Sequence, residues 1–285
     1  MLIGTSWKMN KTITDARTWT TVLAEGLRNA DFSALTPFVI PPVTALHAVR
    51  EELADSPVAL GVQNAHWEDC GAFTGEISPL QAADAGASIV EIGHSERRAL
   101  GETDEQIRLK TAAALRHGLT PLVCVGEDSA AHRSGRAGAV IIDQAESALA
   151  GLDPEQQSRV VIAYEPIWAI GEQGREPSAA ELTDQISELR SAIGERVRAV
   201  IYGGSVSTSN ARDLLGIPGI DGLFIGRSAL DASAFLEVLA IAQESVGRRR
   251  TPTPAPADAP APSPGANDPA TPSLSNKDVN DETAY

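Results

Sequence analysis

Cysteine is rare in this sequence, and it forms no recognisable metal motif. The two cysteines, Cys70 and Cys124, lie far apart, and neither belongs to a CxxC pair or a Cys/His cluster. Structural zinc sites are built from about four such ligands at short spacings. We therefore expect no metal, and we expect no organic cofactor.

Long hydrophobic runs and excess positive charge are also missing. No stretch of about 18 apolar residues could cross a membrane, and the start, MLIGTSWKMNKT, lacks the basic and apolar segments of a secretion signal. We therefore expect a cytoplasmic protein. The formal net charge is −15, which argues against nucleic acid or an anionic membrane as a partner, because both attract basic proteins.

Large apolar side chains become scarce after residue 250. Residues 251–285 contain eight of the 18 prolines. A segment of this composition cannot bury enough surface to offset the entropy lost on ordering. The sequence therefore predicts one globular domain, residues 1–247, followed by a disordered Pro/Ala-rich tail, residues 248–285.

Short apolar runs alternate with longer segments of helical spacing throughout the predicted domain. Alternating strands and helices predict a parallel sheet, and eight repeats in about 245 residues fit a closed (β/α)₈ barrel, the TIM barrel. An open, doubly wound sheet is the alternative, but it usually has a glycine-rich turn after its first strand, which this chain lacks. The eight predicted strands are Leu2–Gly4, Phe38–Ile40, Ala59–Val62, Ile89–Ile92, Pro121–Val125, Val160–Tyr164, Ala199–Tyr202 and Leu223–Ile225.

Polar residues collect where the predicted strands end. In barrels of this kind the active site lies at the carboxyl ends of the strands. Packing alone does not readily place a polar group at the same end of seven strands out of eight, so we expect the site there. The strand-end residues are Lys8, Asn64, His94 with Glu96, Glu127, Glu165, Ser205, and Gly226 with Arg227.

Glu165 is the candidate general base. It follows an apolar strand and precedes Pro166 and an apolar segment with Trp168. An apolar cover raises the pKa of a carboxyl group and makes the carboxylate a stronger base. The alternative is a charged residue that simply leaves the barrel for solvent.

His94 and Lys8 are candidates for stabilising negative charge. A helix is expected to begin just after His94, and its dipole would lower the imidazole pKa and leave a neutral ring that can donate to a carbonyl oxygen. Lys8 follows the first strand and supplies a cation. The glycine-rich turns at Gly203-Gly204-Ser205 and at Gly226 are expected to bind phosphate through backbone N–H groups.

Six motifs of the chain resemble those of the triosephosphate isomerase family. They are WKMN, GAFTGEIS at residues 71–78, EIGHSERR, CVGE, YEPIWAIG and YGGSV; they occur in the family's order, and the resemblance covers roughly residues 4–230. The resemblance implies a homodimer that binds a small phosphorylated sugar. It also implies that the GAFTGE loop, with Phe73, Thr74 and Gly75, inserts into the neighbouring subunit near its active site.

The resemblance also assigns roles to the site residues. Glu165 is the implied catalytic base, His94 the electrophile, Lys8 the electrostatic anchor and Glu96 a supporting carboxylate. The implied substrate- and phosphate-binding residues are Ser6, Gly171, Gly204, Ser205, Gly226 and Arg227.

Three positions depart from the usual pattern of the family. Ser6 replaces an asparagine two residues before the lysine, which removes an amide beside the reacting oxygens and leaves space. Residues 172–177 read EQGREP instead of a stretch like Thr-Gly-Lys-Thr, and Arg227 replaces a second glycine. With GTSWKMNKT and DGLFIGRSAL, these departures resemble the branch that acts on four-carbon ketose phosphates in erythritol breakdown.

The expected reaction interconverts L-erythrulose 1-phosphate and D-erythrulose 4-phosphate through an enediolate. A four-carbon ketose adds one CH₂OH at the end far from phosphate. One alternative is an ordinary triosephosphate isomerase of glycolysis, acting on dihydroxyacetone phosphate and D-glyceraldehyde 3-phosphate. Another is a catalytically inactive sugar-phosphate-binding scaffold. A Schiff-base aldolase is a third, but no lysine ends strand 6.

Overall fold

The strands close into a ring in which each one pairs in parallel with the next along the chain. A computed structural model describes residues 1–170 and 174–250. Strand β1 pairs with both β2 and β8, which completes the barrel. The predicted (β/α)₈ barrel is confirmed, and the open-sheet alternative is wrong. The strands are β1 Leu2–Ser6, β2 Thr36–Ile40, β3 Ala59–Val62, β4 Ile89–Ile92, β5 Thr120–Val125, β6 Val161–Tyr164, β7 Ala199–Tyr202 and β8 Gly222–Ile225.

Helices cover the outside of the ring. Several begin with a capping box, as at Thr12, Thr103 and Ser178. In a capping box the side chain of the cap residue accepts from the backbone N–H three residues later, and the side chain of that later residue accepts from the backbone N–H of the cap. The helices of the described residues are α1 Ile13–Asn29, α2 Val43–Glu52, α3 Pro79–Asp84, α4 Ser95–Ala99, α5 Asp104–Arg116, α6 Ser129–Arg133, α7 Ala137–Leu149, α8 Pro154–Gln157, α9 Ala179–Ile193, α10 Ala211–Gly216 and α11 Ala232–Arg250.

A separate apolar cluster fills the inside of the ring. The Phe38 and Phe224 rings stack at 5.7 Å between centroids. Gly4 leaves room for this pair, since a Cβ there would lie 2.3 Å from the Phe38 ring. Side chains alternate between the two faces of a strand, so the inward positions above this cluster face the barrel mouth. The packed interior is therefore the floor of any site at the carboxyl ends.

The predicted tail lies almost entirely outside the described residues. Helix α11 continues to Arg250, three residues past the predicted end of the domain, and residues 251–285 are not described. The domain boundary and the disorder of the tail therefore stay predictions. No helix in the described ranges is both long and apolar enough to cross a membrane.

Candidate active site

A cavity of about 840 Å³ opens at the carboxyl ends of the strands. Its lining combines the predicted acid–base residues with the predicted anion-binding turns. Of the predicted site residues, it is lined by Ser6, Lys8, His94, Glu96, Glu165, Gly204, Ser205, Gly226 and Arg227. The sequence prediction thus located one continuous pocket.

Glu165 enters the cavity because it continues the inward-facing positions of β6. Ala163 packs inside the barrel, and alternation directs the side chain two residues later the same way. Two glycines clear its path. A Cβ on Gly203 would lie 2.7 Å from Glu165 Cγ, and one on Gly126 would lie 1.9 Å from its carbonyl oxygen. Any larger residue at either position would force Glu165 to move.

The carboxyl group of Glu165 is poised as a base. Glu165 is 3% exposed, and its Oε2 has no hydrogen-bond partner among the described residues. Burial, and then the nearby charge of Glu91, raise its pKa to about 8, against an opposing effect of Lys8. A buried carboxylate whose pKa lies near neutrality is suited to taking a proton from carbon.

His94 is held as a neutral imidazole whose Nε2 lies close to Glu165. It lies directly before α4, and its Nδ1 accepts a hydrogen bond from the Glu96 backbone N–H at 3.1 Å. The ring proton therefore lies on Nε2, which is 3.4 Å from Glu165 Oε2. Burial, and then the charge of Lys8, lower the imidazole pKa to about 4. The expected helix start is present, and burial is the main cause of the neutral ring.

Lys8 reaches the cavity from a strained backbone position. Its φ is 52°, in the left-handed region, where a residue with a side chain costs about 1–3 kcal/mol. Gln63 Nε2 donates to the Lys8 carbonyl oxygen at 2.8 Å. The ammonium Nζ lies 2.7 Å from Glu96 Oε1. Burial acts to raise the pKa of Glu96, but the hydrogen bond and charge of Lys8 prevail and lower it.

The opposite side of the cavity is built from the turns after β7 and β8. Gly204 must be glycine, because a Cβ there would lie 2.1 Å from the Tyr202 hydroxyl. Ser205 Oγ donates to the Ala169 carbonyl oxygen at 2.6 Å. Arg227 is exposed and forms no ion pair within the described part of the chain. These turns therefore offer backbone N–H groups and one free cation to an anion.

The segment after β6 is anchored on both sides of three residues that are not described. On one side, Trp168 Nε1 donates to Glu127 Oε1 at 2.6 Å. On the other, the Arg175 guanidinium lies 4.5 Å from the centre of the Trp168 ring and pairs with Glu181. Gly171, a predicted phosphate ligand, lies between them and outside the described residues, so its role stays a prediction.

Two of the polar strand-end residues do not line the cavity. Asn64 Oδ1 accepts from Lys110 Nζ at 2.8 Å, in a group that also contains Glu102. Glu127 is fully buried and accepts from Trp168 Nε1. A polar residue at the end of a strand therefore need not enter the cavity, because its side chain can turn toward a neighbouring helix or loop, as these two do.

Glu91 is a cavity residue that the sequence prediction missed. It lies on β4, is 3% exposed, and its Oε2 accepts from Ser6 Oγ at 2.7 Å. Burial raises its pKa to about 7, although the Ser6 hydrogen bond and Lys8 act to lower it. The two-residue alternation from Ile89, which packs inside the barrel, was the signal that could have found it.

The GAFTGE loop does not line this cavity. Phe73 is 42% exposed, and its ring centroid lies 4.1 Å from that of His66. Gly75 has a φ of 93°, which glycine adopts without strain. Phe73, Thr74 and Gly75 thus lie on a projecting surface loop.

Among the described residues, no cluster of three or more His, Cys, Asp or Glu could hold a metal ion.

The comparison with known proteins agrees with this arrangement. The sequence profile of the triosephosphate isomerase family matches residues 1–242. The chain belongs to the triosephosphate isomerase family. The resemblance inferred from the motifs is thereby confirmed, together with the class of barrel.

Two similar curated proteins carry the same name within this family. L-erythrulose-1-phosphate isomerase of Mycolicibacterium smegmatis is 53% identical over 242 residues, which are 84% of this chain and 92% of that protein. The protein of that name from Rhizobium rhizogenes is 48% identical over 247 residues, 84% of this chain and 93% of its own.

A solved structure of the family is also similar. Triosephosphate isomerase from Bartonella henselae superposes with a TM-score of 0.74 at 33% identity, covering 85% of this chain and 98% of that one. The family fold therefore extends over nearly all of the described residues.

Proposed function

We propose that this protein is a sugar-phosphate isomerase that interconverts L-erythrulose 1-phosphate and D-erythrulose 4-phosphate. The supporting observation is a cavity in which Glu165 and His94 meet at 3.4 Å, opposite an amide-rich turn region. The names of the similar isomerases support the four-carbon substrate. Erythritol breakdown is the corresponding metabolic role.

Glu165 acts as the base in this proposal. In L-erythrulose 1-phosphate the carbonyl is at C2, and the ionised carboxylate removes the proton from C3, which carries a hydroxyl. The C–H electrons form the C2–C3 double bond of an enediolate, and the negative charge moves to the C2 oxygen. The same carboxyl then returns its proton to C2, which leaves the carbonyl at C3. The atoms balance without any cofactor.

His94 and Lys8 stabilise the charge that develops on oxygen. The neutral imidazole donates from Nε2, and a prearranged donor in a water-poor site is worth more than the same donor in water. His94 can also carry the proton between the two adjacent oxygens. Lys8 supplies a positive charge, and Glu96 holds its Nζ at 2.7 Å. Because Glu165 and His94 are close together, we infer that the Glu165 side chain withdraws when substrate enters.

The phosphate is bound by the turns after β7 and β8. Gly204, Ser205 and Gly226 contribute backbone N–H groups or a hydroxyl, and Arg227 contributes its guanidinium. Gly171 is the further ligand expected from the segment after β6. Closure of residues 168–177 would exclude water from the enediolate and protect it from side reactions.

Substrate length separates this function from the triosephosphate isomerase alternative. Ser6 has a short side chain, which leaves space for the extra CH₂OH. The test is kcat/KM for L-erythrulose 1-phosphate and dihydroxyacetone phosphate on the same preparation. We expect the four-carbon substrate to be preferred. A preference of about a hundredfold or more for dihydroxyacetone phosphate would overturn the proposal. A factor of that size is about the strongest discrimination that a site usually makes against one added carbon group. Turnover of neither substrate would favour the inactive scaffold.

We also propose that the active form is a cytoplasmic homodimer. The exposed Phe73 on its projecting loop is the supporting observation, because a half-exposed aromatic side chain is typical of an interface anchor. The cytoplasm is the compartment in which phosphorylated sugars are retained, since a phosphate ester does not cross a bilayer unaided. Sedimentation equilibrium on the full chain tests the dimer, and a monomer at micromolar concentration would contradict it.

A further inference from the structure

Glu91 is a buried carboxyl group that the reaction described above does not use. It lines the cavity beside the catalytic pair, yet it neither takes the substrate proton nor stabilises the oxyanion. Burying a carboxyl group is costly unless its oxygens are hydrogen-bonded. A role in binding would explain why such a group lies at this position.

One oxygen of Glu91 is satisfied and the other is available. Oε2 accepts from Ser6 Oγ at 2.7 Å. Oε1 has no hydrogen-bond partner among residues 1–170 and 174–250. The Ser6 bond fixes the carboxyl group across the barrel, from β4 to β1, and leaves Oε1 as an unused hydrogen-bonding position at the cavity floor.

The location of Glu91 fits the end of the substrate that is farthest from phosphate. In the closed strand order, β4 lies four strands from β8 on either side, so Glu91 and the Gly226 turn are on opposite sides of the ring. A substrate whose phosphate lies on the β7 and β8 turns, with its reacting carbons at Glu165 and His94, directs its remaining carbon toward the β4 side.

We propose that Glu91, held by Ser6, binds the terminal hydroxyl of the four-carbon substrate and thereby selects it over a three-carbon sugar phosphate. This inference rests on the proposed isomerase function. A hydroxyl can donate to the carboxylate or accept from the protonated acid. Either form of Glu91 can therefore make the contact.

A purely structural role for Glu91 makes a different prediction. If the Ser6 bond only ties β1 to β4, or if the Glu91 charge only adjusts the pKa of Glu165, then a change at Glu91 affects all substrates alike. If Glu91 binds the terminal hydroxyl, the effect depends on whether the substrate has that hydroxyl. The two roles are separated by varying the protein and the substrate together.

The experiment compares L-erythrulose 1-phosphate with its 4-deoxy analogue, in which CH₃ replaces CH₂OH. The rate is followed by incorporation of deuterium from D₂O. For the unmodified protein we expect kcat/KM to fall about 10- to 100-fold when the hydroxyl is removed, as for the loss of one hydrogen bond to a charged group. In Glu91→Leu the two substrates should become equal within about threefold, and Glu91→Gln should retain part of the preference, because its amide still bonds a hydroxyl.

The control is Glu127→Gln, which alters a fully buried carboxyl group that does not line the cavity. It should keep the preference of the unmodified protein whatever happens to its absolute rate. Equal kcat/KM for the two substrates with the unmodified protein, or an unchanged preference in Glu91→Leu, would overturn the inference.

Two outcomes are kept apart by the design. Failure of the unmodified protein to turn over L-erythrulose 1-phosphate would refute the proposed function itself. If Glu91→Leu does not fold, the comparison of the two substrates on the unmodified protein and on Glu91→Gln still decides the matter.

Discussion

Replacing Glu165 with glutamine should abolish most activity and, at alkaline pH, make the protein more stable. The first effect follows from loss of the base: kcat should fall by several orders of magnitude, with little change in the inhibition constant of inorganic phosphate. The gain in stability is the sharper test of the electrostatics. If Glu165 merely supported the fold, replacing it would make the protein less stable instead of more stable.

The magnitude of the stability effect follows from the pKa of Glu165. The pKa rises from its usual 4.5 to about 8, and each tenfold change in an ionisation constant is worth about 1.4 kcal/mol. The corresponding free energy is about 5 kcal/mol at most. Because the folded-state pKa is the higher one, this stabilisation is complete below about pH 4.5 and is lost as the pH rises through about 8. The glutamine variant does not ionise and loses nothing.

Thermal unfolding followed by circular dichroism at pH 5 and pH 8.5 measures the difference. A chain of this size gains about 2–4 °C in Tm per kcal/mol, so Glu165→Gln should melt up to about 10–20 °C above the unmodified protein at pH 8.5 and about 2 °C above it at pH 5. Glu96→Gln is the control of opposite sign, because the pKa of Glu96 is lowered and its ionised form stabilises the fold at pH 8.5. A Glu165→Gln protein whose advantage does not grow between pH 5 and pH 8.5 would refute the reasoning.

Three further predictions concern pH, the imidazole and the dimer. kcat/KM should fall as the pH is lowered below about 8, because the Glu165 carboxyl must be ionised to accept a proton; a flat profile from pH 6 to 9 would contradict this. His94→Gln should lower kcat about 10²- to 10³-fold, as when one oxyanion donor is lost, and no inflection from His94 should appear above pH 5 in steady-state profiles of the unmodified protein. Phe73→Arg should raise the dimer dissociation constant at least about 30-fold by sedimentation equilibrium, whereas an unchanged constant would remove Phe73 from the interface.

The strand pattern was sufficient to predict the barrel and one rim of the site. Seven of the eight apolar runs are followed by a polar residue, and parallel strands of a barrel end at the same edge of the sheet, which brings these residues to one rim. Glu165, His94 and Lys8 were found by this rule alone, and all three line the cavity. What the rule uses is the end of a strand, which the sequence marks clearly.

The direction of each side chain was harder to predict than its position along the chain. Asn64 and Glu127 end strands as Glu165 does, but they turn toward Lys110 and Trp168. Glu91 lies inside a strand, where a charged residue is usually assigned to solvent. Its inward orientation follows from alternation with Ile89 only once the inner face of β4 is known, and that face is set by contacts with other strands.

The carboxyl groups of the cavity explain how an acidic protein can accept an anionic sugar phosphate. By formal charge, the four carboxyl groups Glu91, Glu96, Glu165 and Glu176 outnumber the two cations Lys8 and Arg227 there. However, burial raises the pKa of Glu91 to about 7 and that of Glu165 to about 8, so at neutral pH these two groups are partly protonated and repel a phosphate less than their number suggests. Phosphate entry adds negative charge and raises both pKa values further, while the base must ionise to react. The site therefore gains most from keeping the phosphate on the β7 and β8 turns, at a distance from the carboxyl groups, and this separation is what the closed ring of strands provides.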